Sequence, residues 1–363
     1  MNTENKKKTI VGILIVIALI LVISIMVFNN KEETPIEEVG ILSTNESVTK
    51  NKRPVKKFTK EEEEAFVEQF ANKVLSSESS DLLIKELDEN IAKLSQEEAR
   101  QAVDGLMYVI YNNFNTIKLS QDFIDVAKSQ MEKGVNINNI EELTEVEDQS
   151  FVNFIREMQG MGYYFQQIGD EVTIQIDYKK IKNKYSDYIS LDLIDMLDYL
   201  YDEGLKSYLT KEGDKLNYDE VAKRILSAES FIEKYPESPY LDFFNESKHF
   251  YQQLYFGALD MNYVFDENLV ILDETLNHYE SILNQHPDSE LAKKITEYID
   301  KLKEFDYKKT EDIQVFLLDF TNILYEDIDS EKDGTEKELS ADEINNNIKK
   351  VLKELSEKKS NNK

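Results

Sequence analysis

One segment commits the chain to an environment before anything else in it is read. From Thr9 to Phe28 it runs TIVGILIVIALILVISIMVF, with no charged residue. At about 1.5 Å per residue such a helix covers roughly 30 Å, the thickness of a bilayer's hydrocarbon core. Lys6, Lys7 and Lys8 precede the run, and Lys31 is the only cation among residues 29–48. The positive-inside bias therefore predicts a single-pass helix with residues 1–8 as a cytoplasmic tail and the rest exported. A signal peptide would have a shorter apolar stretch ending in small residues. This run ends Ile25-Met26-Val27-Phe28-Asn29-Asn30 and is expected to stay as an uncleaved anchor in the cell membrane.

An exported body without a single Cys is held by a packed core and not by disulfides. Residues 1–30 hold three lysines and one glutamate, so of the chain's −29 net charge the remainder carries −31. A field of that sign excludes nucleic acid as a partner, because phosphate binding needs clustered Lys and Arg. Residues 29–59 lack hydrophobic periodicity and contain Pro35, Gly40 and Pro54, which predicts a disordered spacer. Its end is locally basic, with Lys50, Lys52, Arg53, Lys56 and Lys57 leading to Lys60.

The remaining pattern predicts a mostly α, irregular multi-helix body with one β-hairpin. Residues 60–162 form an N-terminal helical region opened by Thr59 and Glu62, a capping-box pair in which each side chain satisfies a backbone N–H. Ser95 and Glu98 repeat that signature, and Gly134 is placed to end a helix begun near Gln121. Residues 163–216 contain a change of period. In YYFQQIGDEVTIQID, Val172, Ile174 and Ile176 alternate with Thr173 and Gln175 across Gly169-Asp170, a two-residue turn signal. Tyrosine-rich helices follow. Asp192, Asp195, Asp198 and Asp202 share one helical stripe there, opposite Leu193, Met196, Leu197 and Leu200.

Residues 217–326 contain an internal echo. Phe231-Ile232-Glu233-Lys234-Tyr235-Pro236-Glu237-Ser238 closes one predicted helix, and Ile282-Leu283-Asn284-Gln285-His286-Pro287-Asp288-Ser289 closes another. In each a proline ends a helix and an acid-Ser pair is expected to open the next. This helix–turn–helix arrangement over about residues 217–305 resembles degenerate tetratricopeptide-like repeats of bacterial envelope proteins. The run from the tyrosine-rich helices through Tyr235-Pro236-Glu237-Ser238 is similar to cell-surface membrane proteins of Gram-positive bacteria. The spacing is longer than the usual 34 or so residues of such repeats, and the W-x2-L-G-x2-Y signature is missing. Residues 327–363 form an acidic hinge, a polar helix and a tail. Asp329, Glu331, Asp333 and Gly334 match the opening of a calcium loop, but Glu336 and Ser340 break its later positions.

The chain has no G-x-S-x-G, H-E-x-x-H, Walker A, G-x-G-x-x-G or C-x-x-C motif. His249, His278 and His286 are its three histidines, and their spacing suits no paired-ligand site. No catalytic, cofactor or metal residue is therefore assigned. The expectation is a membrane-anchored, extracytoplasmic interaction or scaffold module, touching the lipid bilayer through residues 9–28 and another envelope protein through its helices. Tyr240, Phe244, Tyr251 and Tyr255 are the candidate anchors for that partner, since aromatics concentrate at binding hot spots. The alternative is an acidic cation- or small-ligand-binding module using Asp192–Asp202 or Asp329–Asp333. An unrecognised enzyme stands third.

Overall fold

A computed structural model describes residues 56–76, 78–168, 171–210, 215–258 and 263–321. The apolar run 9–28, most of the spacer, the Gly169-Asp170 turn and the calcium-like segment 329–334 lie outside them. Among the described residues the protein is mostly α-helical with one antiparallel β-hairpin. None of these helices is long and apolar enough to cross a membrane. The contacts divide the chain into two compact units, one within Val27–Lys215 and one within Leu216–Lys363.

The first unit opens with α1 (Lys60–Leu75). Its start is the capping box: Glu62 N–H donates to the Thr59 hydroxyl at 3.2 Å, and Thr59 N–H donates to the Glu62 carboxylate at 2.7 Å. Next come α2 (Ser80–Asn90), lengthened by a 3-10 turn to Lys93, and α3 (Gln96–Phe114). Ser95 caps α3 by accepting from Glu98 N–H. Helix α4 (Gln121–Glu132) stops before Gly134, whose φ of 81° is the left-handed stop the sequence predicts. Asp148 caps α5 (Gln149–Gly160) through the N–H groups of Ser150 and Phe151.

Strands β1 (Tyr163–Ile168) and β2 (Glu171–Ile176) then pair antiparallel, with Tyr163 opposite Ile176 and Phe165 opposite Ile174. The predicted alternation holds: Val172, Ile174 and Ile176 are buried. A lone hairpin is marginal in water and needs a surface to cover its apolar face. Here the buried Tyr163 hydroxyl donates to the Ile110 carbonyl at 2.6 Å, and Phe165 packs 5.0 Å from Phe123. Asn138 replaces a third strand at Phe165, accepting its N–H at 2.8 Å and donating to its carbonyl at 2.6 Å. Helices α6 (Tyr178–Tyr185) and α7 (Leu191–Leu205) complete the unit and pack on each other.

The second unit contains α8 (Tyr218–Lys234), α9 (Leu241–Tyr255), α10 (Asp273–Gln285), α11 (Glu290–Lys303) and α12 (Glu311–Phe320). Asn217 caps α8 by accepting from Glu220 N–H. The two proline turns fall where the sequence places them, but the helices after them start differently. Ser289 is the N-cap of α11 and accepts from Ala292 N–H at 3.0 Å. Ser238 instead accepts from Tyr240 N–H at 3.2 Å, and α9 begins only at Leu241. The acid-Ser pair therefore opens the helix in the second turn and not in the first. Aromatic rings fill the interior, with Phe231 and Phe244 stacked at 3.6 Å.

Three buried tyrosine hydroxyls hold the turn that leaves α9. Tyr279 donates to the Tyr255 carbonyl at 2.7 Å, Tyr298 to the Phe256 carbonyl at 2.9 Å, and Tyr218 to the Tyr263 carbonyl at 2.8 Å. Each places a large apolar ring in the core and satisfies its polar tip on a backbone carbonyl at the last residue of α9 or beyond it.

Candidate functional site

The four aromatics expected to meet a partner are core residues. Tyr240, Phe244, Tyr251 and Tyr255 are 2%, 1%, 1% and 0% exposed. Phe244 stacks on Phe231 of α8, the Arg224 guanidinium lies 5.1 Å from the Tyr251 ring centroid, and Tyr255 meets Tyr218 and Tyr279 edge-on or tilted. Their spacing along α9 turns them toward α8 and α10, so the anchor assignment is corrected: these rings hold helices together and offer no surface. Dense aromatics at helical spacing are what a packed interface between neighbouring helices requires, and the same residue types mark exposed hot spots.

The aspartate stripe of α7 forms as predicted, with Leu193, Met196, Leu197 and Leu200 buried on the other side. Asp198 binds the Lys182 ammonium at 2.5 Å. Among the described residues no group of three or more His, Asp or Glu is arranged to hold a metal ion. The histidines do not converge either. His278 is largely buried with Nδ1 3.5 Å from Asp219, and burial holds its pKa below the usual imidazole range. His286 is exposed at the end of α10.

A site that the sequence does not announce lies in the first unit. Helices α2 and α6 are two walls of a cleft of about 550 Å³, closed at one end by the C-terminus of α5. Asp81, Ile84, Lys85 and Asp88 line the first wall; Lys180, Ile181, Lys184 and Tyr185 line the second. Both sets recur at helical spacing, three, four or seven residues apart, which keeps each on one face. Leu106 of α3 is wholly buried beneath them, and Ile84, Met161 and Ile181 extend the apolar lining.

The walls are braced across the gap. Lys184 Nζ is 2.5 Å from one Asp88 oxygen, and the Tyr185 hydroxyl donates to the other at 2.9 Å. Burial and the neighbouring Asp88 charge push the Tyr185 pKa far above the usual phenol value, so the hydroxyl stays a donor. At the mouth, Asp81 is satisfied by Lys85 at 3.0 Å and by the Ser79 hydroxyl. Lys180 Nζ donates to the Gln159 carbonyl at 3.1 Å, in the last turn of α5, where carbonyls lack full intrahelical partners. The Ser80 hydroxyl holds the Met161 carbonyl at 2.9 Å.

Two glycines keep this end open. Gly162 has a φ of 97°, and a Cβ there would sit 2.8 Å from Ile110 Cδ1. The chain can turn from α5 into β1 against α3 only with no side chain at that position. A Cβ at Gly160 would meet nothing within 4 Å.

Sequence reading missed the cleft because its lining comes from residues 79–88, 156–162 and 180–185, which nothing local connects. Lys85, Arg156, Lys180 and Lys184 look like ordinary solvated charges when read one helix at a time. The available signal was a local excess of cations at α6 within a strongly acidic chain. No protein-family model matches the chain, and no curated protein and no solved structure shows significant similarity to it.

Proposed function

We propose that this protein is an envelope-tethered binding module: residues 9–28 anchor it in the membrane, the spacer lifts the body, and the α2–α6 cleft receives a short segment of another envelope protein. The cleft is the observation that carries this reading. Its volume of about 550 Å³ lies within the range of ligand-binding sites, and its lining combines an apolar floor with a few placed polar groups. Its walls are held by the Asp88–Lys184 and Asp88–Tyr185 contacts, so little ordering remains to be done on binding. The tetratricopeptide-like resemblance of residues 217–305 fits a scaffold of paired helices in the second unit, with its aromatics serving packing.

Photo-crosslinking in intact cells tests the site. A photoreactive residue replacing Glu157, at the cleft, is expected to give a discrete adduct. The same residue replacing Glu246, exposed on α9, is expected to give none. An adduct from position 246 alone overturns the cleft as the docking site. The absence of any native Cys makes the topology separately testable. An impermeant maleimide is expected to label Ser47→Cys and not Asn2→Cys in intact cells, and the reverse pattern contradicts the orientation.

A further inference from the structure

We infer that the segment entering the cleft carries a carboxylate beside apolar residues, and that Arg156 and Lys180 read it. The inference rests on the cleft being the binding site and adds the chemical class of its occupant. Of the charged groups lining the cleft, four already neutralise one another. Lys85 pairs with Asp81 at 3.0 Å and Lys184 with Asp88 at 2.5 Å. Asp81 also takes the Ser79 hydroxyl and Asp88 the Tyr185 hydroxyl, so both carboxylates are committed.

Three charged groups of the lining remain outside these pairs: Arg156, Glu157 and Lys180. Arg156 is exposed, and its side chain makes no ion pair or hydrogen bond among the described residues. Among the described residues Lys180 Nζ donates to the Gln159 carbonyl, a neutral acceptor, and its nearest counter-charge is Asp177, which lies outside the lining. The lining therefore has one positive charge in excess, inside a chain whose net charge is −29. Both cations belong to the Gly160–Gly162 end, where no side chain at either glycine obstructs approach.

A planar guanidinium accepts a carboxylate through two parallel N–H···O bonds, and an ammonium beside it adds a third charge-assisted donor. Ile84, Leu106, Met161 and Ile181 supply the surface for apolar neighbours of that carboxylate. The long-range field of the acidic body repels polyanions, but at physiological salt it is screened beyond about 8 Å, so a single carboxylate seated on two cations is governed by the local charges. An ammonium-bearing ligand finds only Glu157 uncommitted and two cations opposing it.

The test uses the full-length chain in non-ionic micelles and three pools of N-acetylated tetrapeptides built from Ala, Val, Leu and Phe. One pool has free C-terminal carboxylates, one is amidated, and one is amidated with a single internal Glu; binding is read by calorimetry. Either carboxylate pool is expected to bind at least about tenfold more tightly than the neutral pool, and the stronger of the two identifies a chain terminus or a side chain as the source. Arg156→Gln and Lys180→Gln should each remove about tenfold of that preference and leave the melting temperature unchanged. Gly160→Leu, sterically allowed and filling the mouth, should abolish binding of every pool. Equal binding of charged and neutral pools, blocked by Gly160→Leu, overturns the carboxylate and leaves the cleft standing. Binding of no pool, or binding indifferent to Gly160→Leu, overturns both.

Discussion

The two units solve the same packing problem with different side chains. Among the described residues, eight of the twelve largest fully buried side chains lie in the second unit: Tyr240, Phe243, Phe244, Tyr251, Tyr255, Phe256, Tyr279 and Tyr298. The first unit relies more on aliphatic contacts, with Leu83, Leu87, Val103, Leu106, Ile110 and Ile155 all at 0% exposure. Rings fill space in large pieces, and the tyrosines carry hydroxyls that pin a turn. Aliphatic helices in the first unit leave a gap between α2 and α6 that ion pairs brace. The residues that look most like a binding surface thus build the core of the second unit, and the proposed site lies where the sequence looks ordinary.

The largest expected effect separates those roles. Phe244→Ala removes a ring stacked at 3.6 Å on Phe231 and should cost the second unit about 3–5 kcal/mol, measured by urea unfolding. Peptide binding by the cleft should survive wherever the first unit stays folded. Loss of binding without loss of the first unit's structure would return the aromatics to the site.

Gly162→Ala comes next, because it forces a side chain into left-handed backbone and against Ile110. The cost should be roughly 2–4 kcal/mol, with weakened cleft binding, since Gly162 lines the cleft. A variant as stable as the parent would contradict the close approach of β1 to α3.

A smaller effect is specific to the second unit and depends on pH. Burial and the nearby Glu290 charge raise the Glu229 pKa from the ordinary carboxylate value of 4.5 to about 7. A raised carboxylate pKa means that the folded state holds a proton which the unfolded chain has already lost. The Glu229 contribution is therefore fully present below pH 4.5 and is lost as pH rises through 7. The half-buried His278 and His249 have pKa values lowered by desolvation and act oppositely, losing stability as pH falls through 6.5. Comparing Glu229→Gln with the parent in unfolding titrations isolates the carboxylate. The variant should gain on the parent between pH 5 and pH 8, and a constant difference would contradict the assignment. The smallest effect is Tyr185→Phe, which removes the hydroxyl from Asp88 and should cost about 1 kcal/mol in the first unit alone.

What the sequence made legible was local. Thr59 with Glu62, Ser95 and Gly134 mark helix ends because a cap is satisfied by residues within one turn of it. The hairpin was legible because Val172, Ile174 and Ile176 alternate with polar neighbours. Ser238 misled because its hydroxyl caps the turn at Tyr240, two residues on, and the helix starts only at Leu241. Exposure misled most at Tyr240, Phe244, Tyr251 and Tyr255, since spacing shows which residues share a face and not what covers that face. The cleft needs α2, α5 and α6 brought together, and no periodicity within any one of them encodes that meeting.

Hydrogen–deuterium exchange on the full-length chain in non-ionic micelles, with and without the carboxylate peptide pool, sets the two units against each other most directly. Slowed exchange at residues 79–88, 156–162 and 180–185, with none at 231–255, is the predicted result. Protection confined to residues 231–255 would contradict the account.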